Sequence, residues 1–262
     1  MKNIIVIIFG LIALSSYSQK KQNNSVFRVG ENLKYEISYN WGLVWLDAGV
    51  INFSVKDYKG KLRLIGTGKT YKSYDWMFKV RDTYQSVVEP SSLDPIYFKR
   101  NVDEGGYIIK SQYKYNKKNK LIYSKYKVND NAEKLDTIKR EHGAVDIVTL
   151  LYKTRLINID KMKKGDVVKL HVVFDNEITE IQLKHEGVEK VKIKSLGKYN
   201  SVKFSVNLIG GDYFEDGEKM YLWVSNDKNR IPLMVEAPIL IGKLKMHIVS
   251  HEGLKYDMVS KL

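Results

Sequence analysis

The sequence predicts a mainly β chain: a curved antiparallel sheet, a half-barrel or open barrel, wrapped around one main α-helix. Three observations lead there. Apolar and polar residues alternate with period two through most of the chain from Leu33 onward, the period of a half-buried strand. The alternating runs are separated by short stretches rich in Gly, Asn and Asp, which suit hairpins and therefore antiparallel pairing in chain order. A single segment, Val145 to Leu156, switches to helical spacing. So many strands in one sheet must curl or close.

Taken in order, the strand signals begin with Leu33-Tyr35-Ile37-Tyr39, with Lys34, Glu36 and Ser38 between them. Ile51-Phe53-Val55 and Val80-Asp82-Tyr84-Ser86-Val88 follow, then Ile109-Ser111-Tyr113-Tyr115 and Val168-Leu170-Val172-Phe174. The later runs are Ile181-Leu183, Val191-Ile193, Val202-Phe204-Val206-Leu208, Met220-Leu222-Val224 and Leu244-Met246-Ile248. Polar or lysine residues fill the intervening positions, so each strand is expected to have one wet and one dry face. Turn signals fall at Asp57–Gly60, Asp103–Gly106, Asn129–Asn131, Gly197–Asn200, Gly210–Asp212 and Asn226–Asn229. The helix carries Val145, Val148, Leu151, Tyr152 and Leu156 on its apolar stripe. Asp146 in its first turn suits the helix dipole, and Lys153 and Arg155 suit its end. A weaker helical or turn region is expected over Ser73 to Phe78. Tyrosines and lysines interleave from Tyr107 to Lys127, a pattern of stacking surfaces but also of a tyrosine-stabilised hairpin, the reading favoured here.

The chain opens with Lys2 and an unbroken apolar run from Ile4 to Leu14, ending in Ser16-Tyr17-Ser18. This has the layout of a secretory signal peptide, too short to span a bilayer. The expected organisation is a signal peptide over 1–18 and a single domain over 19–262, acting in the periplasm or outside the cell. There is no cysteine, which excludes disulfides, thiolate metal sites and a cysteine nucleophile. It also excludes acylation at a lipoprotein signal cysteine, and no segment of the mature chain is long and apolar enough for a transmembrane helix. The net charge is +14. The excess is lysine rather than arginine, which reads as a solvated surface or as attraction to an anionic glycan or lipid head group. Nucleic acid is not an expected partner.

No pattern for catalysis stands out. The five histidines (His142, His171, His185, His247, His251) have no metal-binding spacing. His247 and His251 are expected on one face of a strand about 13 Å apart, too far for one metal ion. The acidic group Asp212, Glu215, Asp216 and Glu218 does not follow a calcium-loop pattern. Gly66-Thr67-Gly68 and Gly210-Gly211 precede no helix start that would hold a phosphate. There is no G-x-S-x-G elbow and no P-loop. The expectation is no enzyme, no metal and no cofactor. The aromatic group Tyr39, Trp41, Trp45, Trp76 and Phe78 is read either as the mouth of an apolar cavity or as a cap on the core.

Three stretches taken together resemble the exported bacterial proteins grouped as domain of unknown function 3108. They are Phe27–Tyr35 with Ala48-Gly49, Asp146–Tyr152 ahead of Gly165-Asp166, and Leu222–Asp227 with Arg230-Ile231-Pro232 and Ile241-Gly242. The resemblance implies a half-barrel similar to periplasmic lipoprotein carriers of the LolA and LolB type, which hold acyl chains in the concavity. It supplies no catalytic residue. The expected function is therefore a non-enzymatic envelope protein that binds a lipid or lipoprotein acyl chain. Tyr39, Trp41, Trp45, Trp76, Phe78, Leu151 and Tyr152 are the expected cavity lining. The alternative is an envelope assembly protein with a filled interior, contacting polysaccharide or a protein partner.

Overall fold

The computed structural model describes residues 26–41, 44–209, 219–238 and 243–262. The apolar run expected to be a signal peptide lies outside the described residues, as does the acidic group at 212–218. Fourteen strands form one antiparallel sheet. β1 (Asn32–Trp41) lies near its middle. From there β2 (Val44–Tyr58), β3 (Lys61–Thr70), β4 (Arg81–Val88), β5 (Pro95–Glu104), β6 (Tyr107–Asn116), β7 (Leu121–Val128) and β8 (Lys134–Lys139) step outward in chain order. On the other side of β1 come β14 (Lys243–Glu252), β13 (Pro232–Pro238), β12 (Met220–Ser225), β11 (Gly197–Ile209), β10 (Glu177–Ile193) and β9 (Val167–Phe174). The chain thus leaves the sheet at one edge, β8, and re-enters at the other, β9. Helix α1 (Ile147–Thr154) lies in that connection.

Contacts between distant strands show the curl. The β9–β10 turn reaches β5 through an ion pair between Asp175 and the buried Arg100. Asn176 in the same turn accepts from the Ser124 hydroxyl of β7 at 2.7 Å and donates its backbone N–H to the Tyr113 hydroxyl of β6 at 3.2 Å. The free edge of β9 is met by the segment ahead of α1: Val145 donates to the His171 carbonyl and accepts from Val173. Pairing that edge removes a row of open hydrogen-bonding groups.

Polar contacts pin α1 inside the curl at both ends. Asp146 is its N-cap and accepts from Thr149 N–H at 2.9 Å. Its other carboxylate oxygen accepts from the Ser86 hydroxyl of β4 at 2.8 Å and the Thr149 hydroxyl at 2.9 Å. The sequence suggested a dipole partner; the residue is a cap that also ties the helix to the sheet. Past the last turn, Arg155 is buried and forms a forked pair with Glu31 at 2.5 and 2.9 Å. It also donates to the Asn229 carbonyl at 3.0 and 3.1 Å. The Asn229 side chain in turn bonds the Tyr256 backbone, so the start of the domain, the helix, the β12–β13 turn and the C-terminal segment meet at one end.

Several boundaries differ from the sequence reading. Ile181-Leu183 and Val191-Ile193 belong to one long strand, β10, interrupted only by a bulge at His185/Gly187. Gly187 takes φ +124 there, a conformation glycine adopts without strain. Gly197–Asn200, expected as a turn, opens β11. In the Ser73–Phe78 region the structure has a short 3₁₀ turn, Lys72–Tyr74, and then irregular chain. His247 and His251 pair with Glu36 and Leu33 of β1, because a bulge beside Lys34/Tyr35 shifts the register between them. They therefore lie on opposite faces, not on one face as the unbroken alternation implied.

Candidate ligand-binding cavity

Between α1 and the two halves of the sheet lies a cavity of about 680 Å³. Its floor is the helix stripe Ile147, Leu150, Leu151 and Thr154, spaced three and four apart as one face of a helix must be. β2 supplies Ile51 and Phe53, and the opposite wall comes from Leu170, Val172 and Phe174 of β9, Ile181 and Leu183 of β10, and Val206 of β11. Most of these are strand residues whose alternation turns them toward the helix.

Two glycines of β3 make room for this space. Gly66 pairs with Phe53 and Gly68 with Ile51 across the β2–β3 ladder. Neither has a positive φ, so a turn does not require them. A Cβ at Gly66 would come within 3.0 Å of the Phe53 ring, which lies across the strand at that point. A Cβ at Gly68 would make only ordinary contacts, 3.8 Å from Asp82 Cβ and from Ile51 Cγ1. A glycine there leaves open space where a side chain would project into the cavity.

One part of the lining is polar. Asp82 and Tyr84 of β4, Asp175 of the β9–β10 turn and Glu177 at the start of β10 all border the cavity, with Asp175 near the Tyr84 phenol. Asp82 is half-buried and accepts from the Asp103 backbone N–H at 3.2 Å. Burial, then repulsion from Glu104, pushes its carboxyl up to about 6. Burial likewise pushes the Tyr84 phenol up to about 12. The cavity is therefore amphipathic: long apolar walls with a small polar region whose charge is set by few groups. Among the described residues no group of three or more His, Asp or Glu could hold a metal ion. The lining residues include no serine, cysteine or histidine, and nothing in the arrangement suggests catalysis.

Of the residues expected to line a cavity, Leu151 does. Tyr152, one position on, is not part of the lining: it is fully buried with Phe27 packed edge-on at 4.8 Å, in the same apolar cluster as Val55, Leu62 and Leu64. Tyr39 is half-buried in β1 opposite Leu46 and Leu244, and is not part of the lining. Trp45 lies at the start of β2, exposed, with the Lys245 amine 4.4 Å from its ring centre. Trp76 and Phe78 are exposed on the loop between β3 and β4. The side chain of Trp41 is outside the described residues. Sequence reading looked for the aromatics near strand ends, whereas the walls are mostly aliphatic side chains and glycines, with Phe53 and Phe174 from mid-sheet and the β9 end. The usable signal was there: Ile51-Phe53, Leu170-Val172-Phe174 and Ile181-Leu183 are dry-face runs, and Gly66 and Gly68 are two apart, on one face of a strand.

A family profile described as a protein of unknown function, DUF3108, matches residues 34–249. The chain belongs to the DUF3108 family. No curated protein matches it. Its fold is similar to the crystal structure of a beta-barrel-like protein of domain of unknown function DUF1849 from Brucella abortus. The TM-score is 0.57 at 7% identity, covering 88% of this DUF3108 chain and 100% of the other. At that identity the likeness concerns the fold alone. A candidate lipoprotein from Parabacteroides distasonis matches with a TM-score of 0.35 and 9% identity over 87% of this chain and 98% of its own, too low a score to carry an argument. Among the described residues no helix of the DUF3108 protein is long and apolar enough to cross a membrane.

Proposed function

We propose that this DUF3108 protein is a non-enzymatic, exported envelope protein that binds an apolar or amphipathic ligand, a lipid or lipoprotein acyl chain, between helix and sheet. The observation that carries the reading is the cavity of about 680 Å³ with largely apolar walls. That volume falls within the roughly 300–1,000 Å³ typical of small-molecule sites. An assembly protein with a filled interior, the alternative from sequence, would not need such a space or glycines facing into it. Export rests on the apolar segment at the start of the sequence, with the periplasm as the expected place of work.

The energetics are adequate for a carrier. About 16 methylenes moved from water into the cavity at ~0.8 kcal/mol each give ~13 kcal/mol. Subtracting about 4–5 kcal/mol for association leaves ~8 kcal/mol, a dissociation constant near 1 μM. Such binding is tight enough to load and weak enough to release. The acidic region at Asp82, Tyr84, Asp175 and Glu177 would receive a neutral or protonated head group that donates hydrogen bonds to it.

The test is native mass spectrometry of the protein purified from the periplasm of its own host, followed by titration of the delipidated protein with a C16 fatty acid. Co-purified lipid and saturable one-to-one binding are expected. Protein that carries no lipid and binds no fatty acid at tens of micromolar would sink the reading.

A further inference from the structure

The loop between β3 and β4 carries three consecutive large apolar residues in open solvent: Trp76, Met77 and Phe78 are 83%, 56% and 51% exposed. Tyr107 and Ile108, beside the β5–β6 turn, are exposed as well. The two hairpin ends form one tip. The Phe78 ring rests on Gly105, whose Cβ, if it had one, would lie 2.9 Å from the ring, and Gly105 N–H donates to the Lys79 carbonyl at 2.7 Å. Polar contacts brace the loop from below. Arg81 pairs with Asp75 at 2.6 Å, and Thr70 Oγ donates to Asp75 at 2.8 Å and accepts from Val80 N–H at 3.1 Å. The loop's polar groups are thus satisfied internally while its apolar side chains stay in water, the reverse of ordinary surface loops.

We propose that this tip docks on an anionic lipid bilayer, with Trp76, Met77 and Phe78 entering the boundary between head groups and acyl chains. A convex crest of three residues does not offer the flat, recessed area of a protein interface, whereas a bilayer admits it. Tryptophan favours the head-group level. Exposed lysines lead into the crest, Lys69 at the end of β3 and Lys72 in the loop itself, and suit anionic head groups on a chain of net charge +14. The position also fits. β3 and β4, whose Gly68 and Asp82 line the cavity, run on within two residues into this loop. Docking would turn the polar region of the cavity toward the lipid source. That last step rests on the ligand reading above; the docking itself does not.

The experiment is co-sedimentation of the purified protein with vesicles of phosphatidylglycerol and phosphatidylethanolamine, against vesicles of phosphatidylcholine alone. It compares wild type with the double variant Trp76→Ser/Phe78→Ser. Trp76→Ser alone spares the contact of Phe78 with Gly105 and serves as a second variant; both variants should keep wild-type thermal unfolding and fatty-acid titration, which separates loss of docking from loss of the fold or the cavity. The double variant is expected to lose about tenfold or more of its vesicle partitioning. Lipids brominated near the glycerol should quench the tryptophan emission of the wild type more than that of the variant. The proposal is overturned if the wild type does not sediment with anionic vesicles, if both proteins sediment equally, or if added salt alone releases both alike. It is also overturned if the quenching does not differ, or if Trp76 instead drives self-association in sedimentation equilibrium.

Discussion

Replacing Gly68 by leucine should fill the cavity from its β3 wall without disturbing the sheet. The backbone at Gly68 is ordinary strand, and a Cβ there meets nothing closer than 3.8 Å, so the new side chain has one direction to go: between Ile51 and Asp82, into the space. Glycine inside a strand is unfavourable, and a larger side chain raises β propensity, so the fold should hold or gain slightly. The side chain displaces about four methylene equivalents of ligand. At ~0.8 kcal/mol each that is ~3 kcal/mol, or about a hundredfold weaker binding. The assay is displacement of a fluorescent fatty acid from delipidated wild type, Gly68→Leu and, as an outer control, Val188→Leu on the exposed part of β10. Circular dichroism and thermal unfolding monitor the fold. A Gly68→Leu protein with unchanged Tm and unchanged affinity would refute the reasoning, because the ligand would then lie elsewhere.

Other perturbations follow from the same contacts. Arg155→Met leaves the Glu31 carboxylate buried without its cation and should cost about 3–5 kcal/mol, read from the urea midpoint, while Glu31→Gln/Arg155→Met should recover much of it. Asp146→Ala removes a cap and the carboxylate that accepts from the Ser86 and Thr149 hydroxyls, leaving these only each other at 2.8 Å, for a loss of about 1–3 kcal/mol by the same measurement. For Asp82 the sign is the reverse of most carboxylates. Its folded value is raised from 3.8 to about 6, so the folded state binds the extra proton and stability falls as pH rises from about 4 through about 6. Asp82→Asn should flatten that part of the stability–pH curve and stabilise the protein at pH 7 by about 1 kcal/mol, a figure discounted for partial exposure. An unchanged slope in the variant would exclude Asp82 as its source.

Strands whose two faces differ could be read from the chain, and so could the helix. Alternating runs mark β1, β2, β4, β6, β9, β11, β12 and β14 over at least part of their length, although the bulge in the β1–β14 ladder interrupts the alternation in β14. β3 could not be read, because Gly66 and Gly68 stand where its apolar alternation would continue. β8 is an edge strand, exposed along most of its length, so no dry face marks it. β13 begins Pro232-Leu233-Met234-Val235, an unbroken apolar run with no alternation to detect. Leu151 was legible as a lining residue because helix periodicity fixes which side is apolar. Tyr152 was not separable from it, since that periodicity does not say which neighbour a face will meet.

Alternation and turn chemistry, both local, determined an antiparallel β protein with a single helix, since residue spacing alone decides which side chains share a face. What lies across from each face was decided by the curl of the sheet. It brought Asp175 to Arg100, closed Glu31 on Arg155 124 positions away, and set α1 over two glycines. Those pairings depend on how twist accumulates over fourteen strands, and no short stretch of sequence encodes that sum.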